Sequence, residues 1–242
     1  MTLDKNTRVW RYMSFAKLVW MLQMKQLWFS SIDLLDDKWE GMIDTPRLNS
    51  IINNRPENLS AEDVIDQTAS WIEEQRKRIY INCWSASEHE SHALWRIFCP
   101  SSESVAIQTT LERLKKSIGL PVLEVSYSQH EVSSGLPSVP ELATQKRPMF
   151  AYEQEVRIVL ARDFSDKKHP DSKTIGAAVD WDPELHLEYI WIHPDAPFWF
   201  AEIVTETVRQ MAPKLCENGF PRVPWSKMNS SPPLSRRRSK YS

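Results

Sequence analysis

Five glycines in 242 residues constrain this chain more than any other feature. Glycine lets the backbone turn left-handed and approach a ligand closely. The phosphate cradles of the P-loop and of the Rossmann turn both need such residues clustered within a few positions. Here they stand at 41, 119, 135, 176 and 219, far apart. Neither glycine-rich loop can be drawn.

The remaining composition is that of an ordinary globular protein, 41% hydrophobic and 26% charged. A net charge of −2 gives no general pull toward nucleic acid or an anionic membrane. Three cysteines, Cys83, Cys99 and Cys216, show no framework spacing, which fits a reducing compartment. Residues 1–8 are polar and lack a signal-peptide h-region. The longest apolar stretch, residues 18–22, is too short to span a bilayer. A cytoplasmic protein without a membrane partner is expected. Eleven tryptophans run from Trp10 to Trp225. Most must be core residues with an N–H partner, and some could stack nicotinamide, adenine or an unpaired base.

Periodicity predicts strands over residues 8–12, 27–30, 79–84, 104–108, 122–127, 153–161, 174–179 and 187–193. Helices are predicted over 15–25, from the Ser60/Asp63 capping box to 77, over 89–98, from Thr110 to Gly119, and over 197–215. Residues 32–54 show no clear period, 130–140 form a Ser/Pro/Gly loop, and Pro148 argues against an unbroken helix over 142–151. The expectation is a single α+β domain over 1–223. Its strands are short and mostly antiparallel, helices flank them, and a helical insertion covers about 44–78. From Pro224 the Ser/Pro/Arg-rich tail reads as disordered. Its basic run, 236–240, could touch nucleic acid or an acidic partner, or simply be solvated.

Three segments could carry chemistry. Tyr152-Glu153-Gln154-Glu155-Val156-Arg157, read as a strand, puts Glu153, Glu155 and Arg157 on one face and Val156, Ile158 and Leu160 on the other. Two neighbouring carboxylates raise each other's pKa and an adjacent arginine lowers them, as suits acid–base work or a positive transition state. The alternative is a strand with one solvated face. Arg11, between Trp10 and Tyr12, offers a planar fork for phosphate, or a surface salt bridge. Ser85 and Ser87 end a strand and offer two hydroxyls, or a helix cap.

An arginine, then Ser-x-Ser, then Glu-x-Glu, each on its own strand, resembles the arginine–serine–glutamate class of ADP-ribosyltransferases, which bind NAD without a Rossmann motif. The resemblance implies that Arg11 holds an NAD phosphate, and that Ser85, with Ser87 beside it, positions the glutamate and the ribose. Glu155 would then stabilise the oxocarbenium ion as nicotinamide leaves, and Glu153 would serve the acceptor, a protein or nucleic acid. An aromatic such as Tyr152, Trp84 or Trp39 would line the cleft. Ala86 stands where that class usually has threonine.

A broader pattern links Trp10-Arg11-Tyr12, 27–31, Asp36-Asp37-Lys38-Trp39-Glu40-Gly41, Cys83-Trp84-Ser85, Leu94-Trp95, Val125-Ser126-Tyr127 and Lys146 through Arg157. It is similar to the bacterial domain-of-unknown-function 2971 family over roughly residues 9–211. A family of this kind implies a toxin or phage-defence effector, without assigning a reaction. Two rival readings remain. Asp36, Asp37 and Glu40 could join Glu153 and Glu155 around Mg²⁺ as in a metal-dependent nuclease or phosphoesterase, although no segment has a compact metal signature. Alternatively the chain is a non-catalytic protein- or nucleic-acid-binding module. Cys83, His89, His92 and Cys99 match no standard zinc spacing, so no metal ligands are assigned.

Overall fold

A computed structural model describes residues 3–128, 134–162, 175–217 and 220–229. The first part of the chain forms β1 (Arg8–Ser14), α1 (Phe15–Met24), β2 (Gln26–Ser31), α2 (Thr45–Asn53), α3 (Ala61–Arg76) and β3 (Ile79–Ala86). Next come α4 (His92–Phe98), β4 (Ser104–Thr110), α5 (Leu111–Ile118), β5 (Val122–Glu124), α6 (Val139–Thr144) and β6 (Glu155–Ala161). The last part forms β7 (Gly176–Asp180), α7 (Pro183–His186), β8 (Tyr189–Ile192) and α8 (Phe198–Met211). The expected α+β class is present, with helices beside antiparallel strands. Among the described residues no helix is long and apolar enough to cross a membrane.

The chain divides into two compact units. The first comprises Met1–Gln26, Ser87–Ser117 and Trp181–Ser242. In it β1, β4 and β8 pair antiparallel around Trp10, Trp95, Cys99, Ala106 and Trp191. The second comprises Leu27–Ala86 and Ile118–Asp180. There β5, β6, β3 and β2 pair antiparallel in that order, and β7 joins β2. Its core gathers Ile32, Ile79, Ile81, Leu142, Ala143 and Val159. Residues 44–78, expected to be a helical insertion, contain α2 and α3, and the Ser60/Asp63 capping box that starts α3 is formed in full.

Five buried tryptophans each donate their indole N–H: Trp10 to Ser87, Trp84 to Asn82, Trp95 to Glu90, Trp181 to Ser117 and Trp191 to Gln108. Composition predicts this core role for most of the eleven, but only these five are buried, and Trp28, Trp39 and Trp199 are exposed.

Several boundaries differ from the expectation. Residues 32–54, read without a period, contain α2, started by the Asp44 side chain accepting from Arg47 N–H with proline in the first turn. The expected loop and broken segment contain α6, started by a Ser138/Glu141 capping box. Part of that loop lies outside the described residues. The start of the expected disordered tail is packed: Ile192 N–H donates to the Pro224 carbonyl and Ser226 N–H to that of Ile192. Its basic run lies outside the described residues.

Gly176 is the glycine whose lack of a side chain the packing demands. A Cβ there would stand 2.4 Å from the Phe29 carbonyl oxygen and 2.5 Å from the Trp28 ring. Gly176→Ala should therefore push β7 off β2 and cost about 1–3 kcal/mol, read from the denaturant midpoint. An unchanged midpoint would show that the pairing tolerates the shift.

Candidate active site

The predicted acidic stripe becomes a buried ion network in the second unit. Residues 153–161 are not one strand. Pro148–Glu153 forms a 3-10 helix, Gln154 takes a left-handed backbone (φ 45°), and β6 begins at Glu155. Glu153 thus precedes the strand instead of sharing its face. The face is not solvated either: Glu155 and Arg157 are 6% and 1% exposed.

Arg157 donates to both oxygens of Glu155 at 3.1 and 2.9 Å, to the Ala143 carbonyl at 2.8 Å, and to Glu40. Lys146 Nζ lies 2.6 Å from Glu153, 3.2 Å from Glu155 and 3.4 Å from Glu40. Each group is placed by local structure. Lys146 follows α6 and is fixed when its N–H donates to Ser126, while Ser126 N–H donates to Thr144. Glu40 ends a turn in which its N–H donates to the Asp37 carbonyl. Asp37 also accepts a two-pronged bond from Arg147 at 2.9 and 3.2 Å. Glu155 N–H donates to the Tyr127 hydroxyl at 2.8 Å.

The two glutamates differ in proton affinity. Burial raises Glu155, but Arg157 and Lys146 overcome that and hold it below the ordinary carboxylate range. Burial also raises Glu153, and Lys146 offsets it only in part, so Glu153 stays above that range. Burial would lower Lys146, yet the carboxylates around it, Glu155 first, drive it up. Burial, with Glu155 adding to it, pushes the Cys83 thiol well up and leaves it protonated. With all groups ionised, three carboxylates face two cations, a net charge of −1. Such a site favours an incoming positive charge.

A cavity of about 400 Å³ adjoins the network through Lys146. Trp39, Met42, Arg147 and Met149 also line it. Trp39 is 57% exposed and can take a planar ring. The volume lies within the range of small-molecule sites, about 300–1,000 Å³.

The other predicted residues fall in both units. Ser85 is the cross-strand partner of Glu155 in the β3–β6 register, on the face that carries Cys83 and Arg157. Tyr152 is exposed beside Glu153. Arg11 and Ser87 belong to the first unit. Arg11 is half-buried on the face of β1 opposite Trp10, and the Ser87 hydroxyl accepts from His89 N–H in a turn. Glu40 does come close to Glu153, as a metal-dependent reading needs, but the Lys146 ammonium sits where the three carboxylates converge. Among the described residues no group of three or more potential ligands is arranged around a metal ion. The sequence reading assigned no role to Lys146, and its signal was the uncompensated charge of a Glu/Glu/Arg stripe.

No family model matches the chain, and no curated protein does. Among solved structures it is similar to Thermus sp. 2.9 DarT in complex with carba-NAD+, at 12% identity over 94% of this chain and 98% of that one, with a TM-score of 0.44. The NAD+ complex of the same protein gives 15% identity over 95% and 100%, TM-score 0.42. Its complex with ADP-ribosylated ssDNA gives 14% over 96% and 99%, TM-score 0.42.

Proposed function

We propose that this chain is an NAD-dependent ADP-ribosyltransferase-like enzyme. One observation carries the reading: a single ammonium, Lys146 Nζ, holds two carboxylates whose proton affinities are driven apart. Such a split separates a permanently ionised group from one able to take a proton. Glu155 is the ionised one and supports the positive charge that develops on the ribose carbon as its bond to nicotinamide breaks. The bonding pair leaves on the nicotinamide nitrogen. The acceptor's nucleophile bonds to the same carbon, and its proton passes to Glu153. Ser85, opposite Glu155, is the candidate ribose contact. Arg11 and Ser87 are retained as candidate phosphate and ribose contacts on the sequence pattern alone.

The cavity fits part of the substrate, since Trp39 offers a face to a planar ring and the excess negative charge suits a pyridinium. The acceptor is proposed to be a protein or nucleic acid. Kinship with the domain-of-unknown-function 2971 family is proposed with it: the segments holding Asp37, Glu40, Tyr127 and Lys146–Arg157, which carry that resemblance, are those that build the network. A cytoplasmic toxin or phage-defence role belongs to the same proposal.

The test is nicotinamide release from labelled NAD, with and without protein and nucleic-acid acceptors, across pH. The rate should rise with pH as Glu153 loses its proton, with a midpoint above the ordinary carboxylate range, and Glu153→Gln should flatten that limb. Absence of release under every condition would overturn the reading. It would favour a second one, a non-catalytic module in which the same bonds only clamp residues 37–40 and 146–157 together.

A further inference from the structure

The first unit holds a cleft that the proposed reaction does not use. Its floor follows from register. Trp10, Gln108 and Tyr189 are successive cross-strand partners on β1, β4 and β8, and Trp191 is on the same face one pair further along. Cross-strand neighbours on one face lie close enough for rings to meet. Trp10 and Trp191 have ring centroids 5.6 Å apart, and Tyr189 and Trp191 5.8 Å. The space above measures about 480 Å³. Tyr189 is 41% exposed at its side.

Gln108 makes this more than an apolar surface. It is 3% exposed, and its side-chain oxygen accepts from the Trp191 indole N–H at 2.8 Å. An indole nitrogen can only donate, so the amide orientation is decided. The NH₂ group is left as a donor, with no hydrogen bond of its own among the described residues. Gln108 lines the cleft, so this donor is open to an acceptor placed there. Two exposed cations, Arg8 and Lys227, also line the cleft, and Lys227 Nζ stands 5.6 Å from the Trp191 ring. Glu88 and Glu90 line it too. The Glu90 carboxylate is occupied by Trp95, Ser226 and the Lys227 N–H.

We infer that this cleft binds a nucleobase together with its adjoining phosphate. The ring stacks on the Tyr189/Trp191 shelf, a ring acceptor receives the Gln108 NH₂, and the phosphate meets Arg8 and Lys227. Stacking on aromatic side chains tolerates any base, and the amide adds a preference for an acceptor edge. The ligand is either a free nucleotide or an unpaired base of a single strand.

Calorimetric titration without NAD keeps this inference separate from the transferase reading. The probes are the four common 5′-mononucleotides and short single-stranded DNA and RNA oligonucleotides. Saturable binding is expected. Tyr189→Ala should weaken it by about tenfold or more, while Tyr189→Phe should retain it. Lys227→Ala should weaken it and reduce its salt dependence. Mononucleotides that bind as tightly as oligonucleotides would identify a free nucleotide as the ligand. Tighter, salt-sensitive oligonucleotide binding would identify a single strand. No saturable binding by either probe, or binding that Tyr189→Ala and Lys227→Ala both leave unchanged in correctly folded protein, would overturn the inference.

Discussion

Arg157→Ala will cost about 3–5 kcal/mol of folding stability, the usual consequence of removing one partner from a buried ion pair. The guanidinium is 1% exposed and spans Glu40, Glu155 and the Ala143 carbonyl. Truncation leaves Glu40 and Glu155 buried with only Lys146 to serve both, along with Glu153. It also removes a large side chain from a closed site, which adds a cavity cost. Whole-protein stability is commonly about 5–15 kcal/mol, so the loss should show as a large fall in the guanidinium chloride midpoint. Arg157→Lys should recover part of it, since an ammonium keeps the charge but not the planar fork. A loss below about 1 kcal/mol for Arg157→Ala would mean that the network is energetically balanced against its own dehydration.

Glu155→Gln should lower nicotinamide release by about a hundredfold or more, the scale on which one preorganised charge acts at a reacting centre. The amide keeps the shape and removes the charge. Arg157 would still hold Glu40 and the Ala143 carbonyl, so the protein should stay folded. Glu40→Gln is the matched control. It removes one carboxylate from the same two cations, Lys146 and Arg157, at similar burial. If the two variants lose similar stability but Glu155→Gln loses far more activity, Glu155 acts on the substrate. Equal activity losses would assign Glu155 to the framework alone. Acid should expose the same asymmetry. The folded pKa of Glu155 lies below its unfolded value, so its contribution is present above the unfolded value and is lost as pH falls through the folded one. Glu153, raised on folding, works in the opposite sense.

The strands were legible where both neighbours in the alternation were informative. Residues 79–84 and the later part of 153–161 became β3 and β6 because their apolar positions hold the core of the second unit. Helices with a strong cap and enough length were legible as well, α3 most clearly. Two short helices, α2 and α6, were hidden behind proline. Pro46 and Pro140 sit in the first turn, where proline is tolerated, yet in sequence they look like loop punctuation. Ser138 followed by Glu141 was the signal that would have recovered α6. The start of β6 was not readable, because Gln154 adopts a backbone that sequence reserves for glycine or asparagine.

For the site, Glu153, Glu155 and Arg157 were visible as charges on one short segment, and Ser85 as a strand-end hydroxyl. Their burial was not visible. A stripe with two acids and one base requires another cation once it is enclosed, and nothing local says that it comes from Lys146. That lysine reaches the site because the bond from Ser126 to Thr144 fixes the end of α6. The aromatic cleft of the first unit was equally diffuse, since its rings come from β1 and β8 and its amide from β4, far apart in sequence.

The way the two units are cut from the chain has a practical consequence for anyone who would dissect the protein. One is assembled from three separate stretches and the other from two, so the polypeptide passes between them four times. No N- or C-terminal truncation can isolate either one intact. A fragment ending at Gln26, Ala86, Ser117 or Asp180 would expose half-built sheets with open strand edges, the kind that pair with other chains. Loss of activity on truncation would therefore report misassembly, and the map of function must come from point substitutions in the full-length chain.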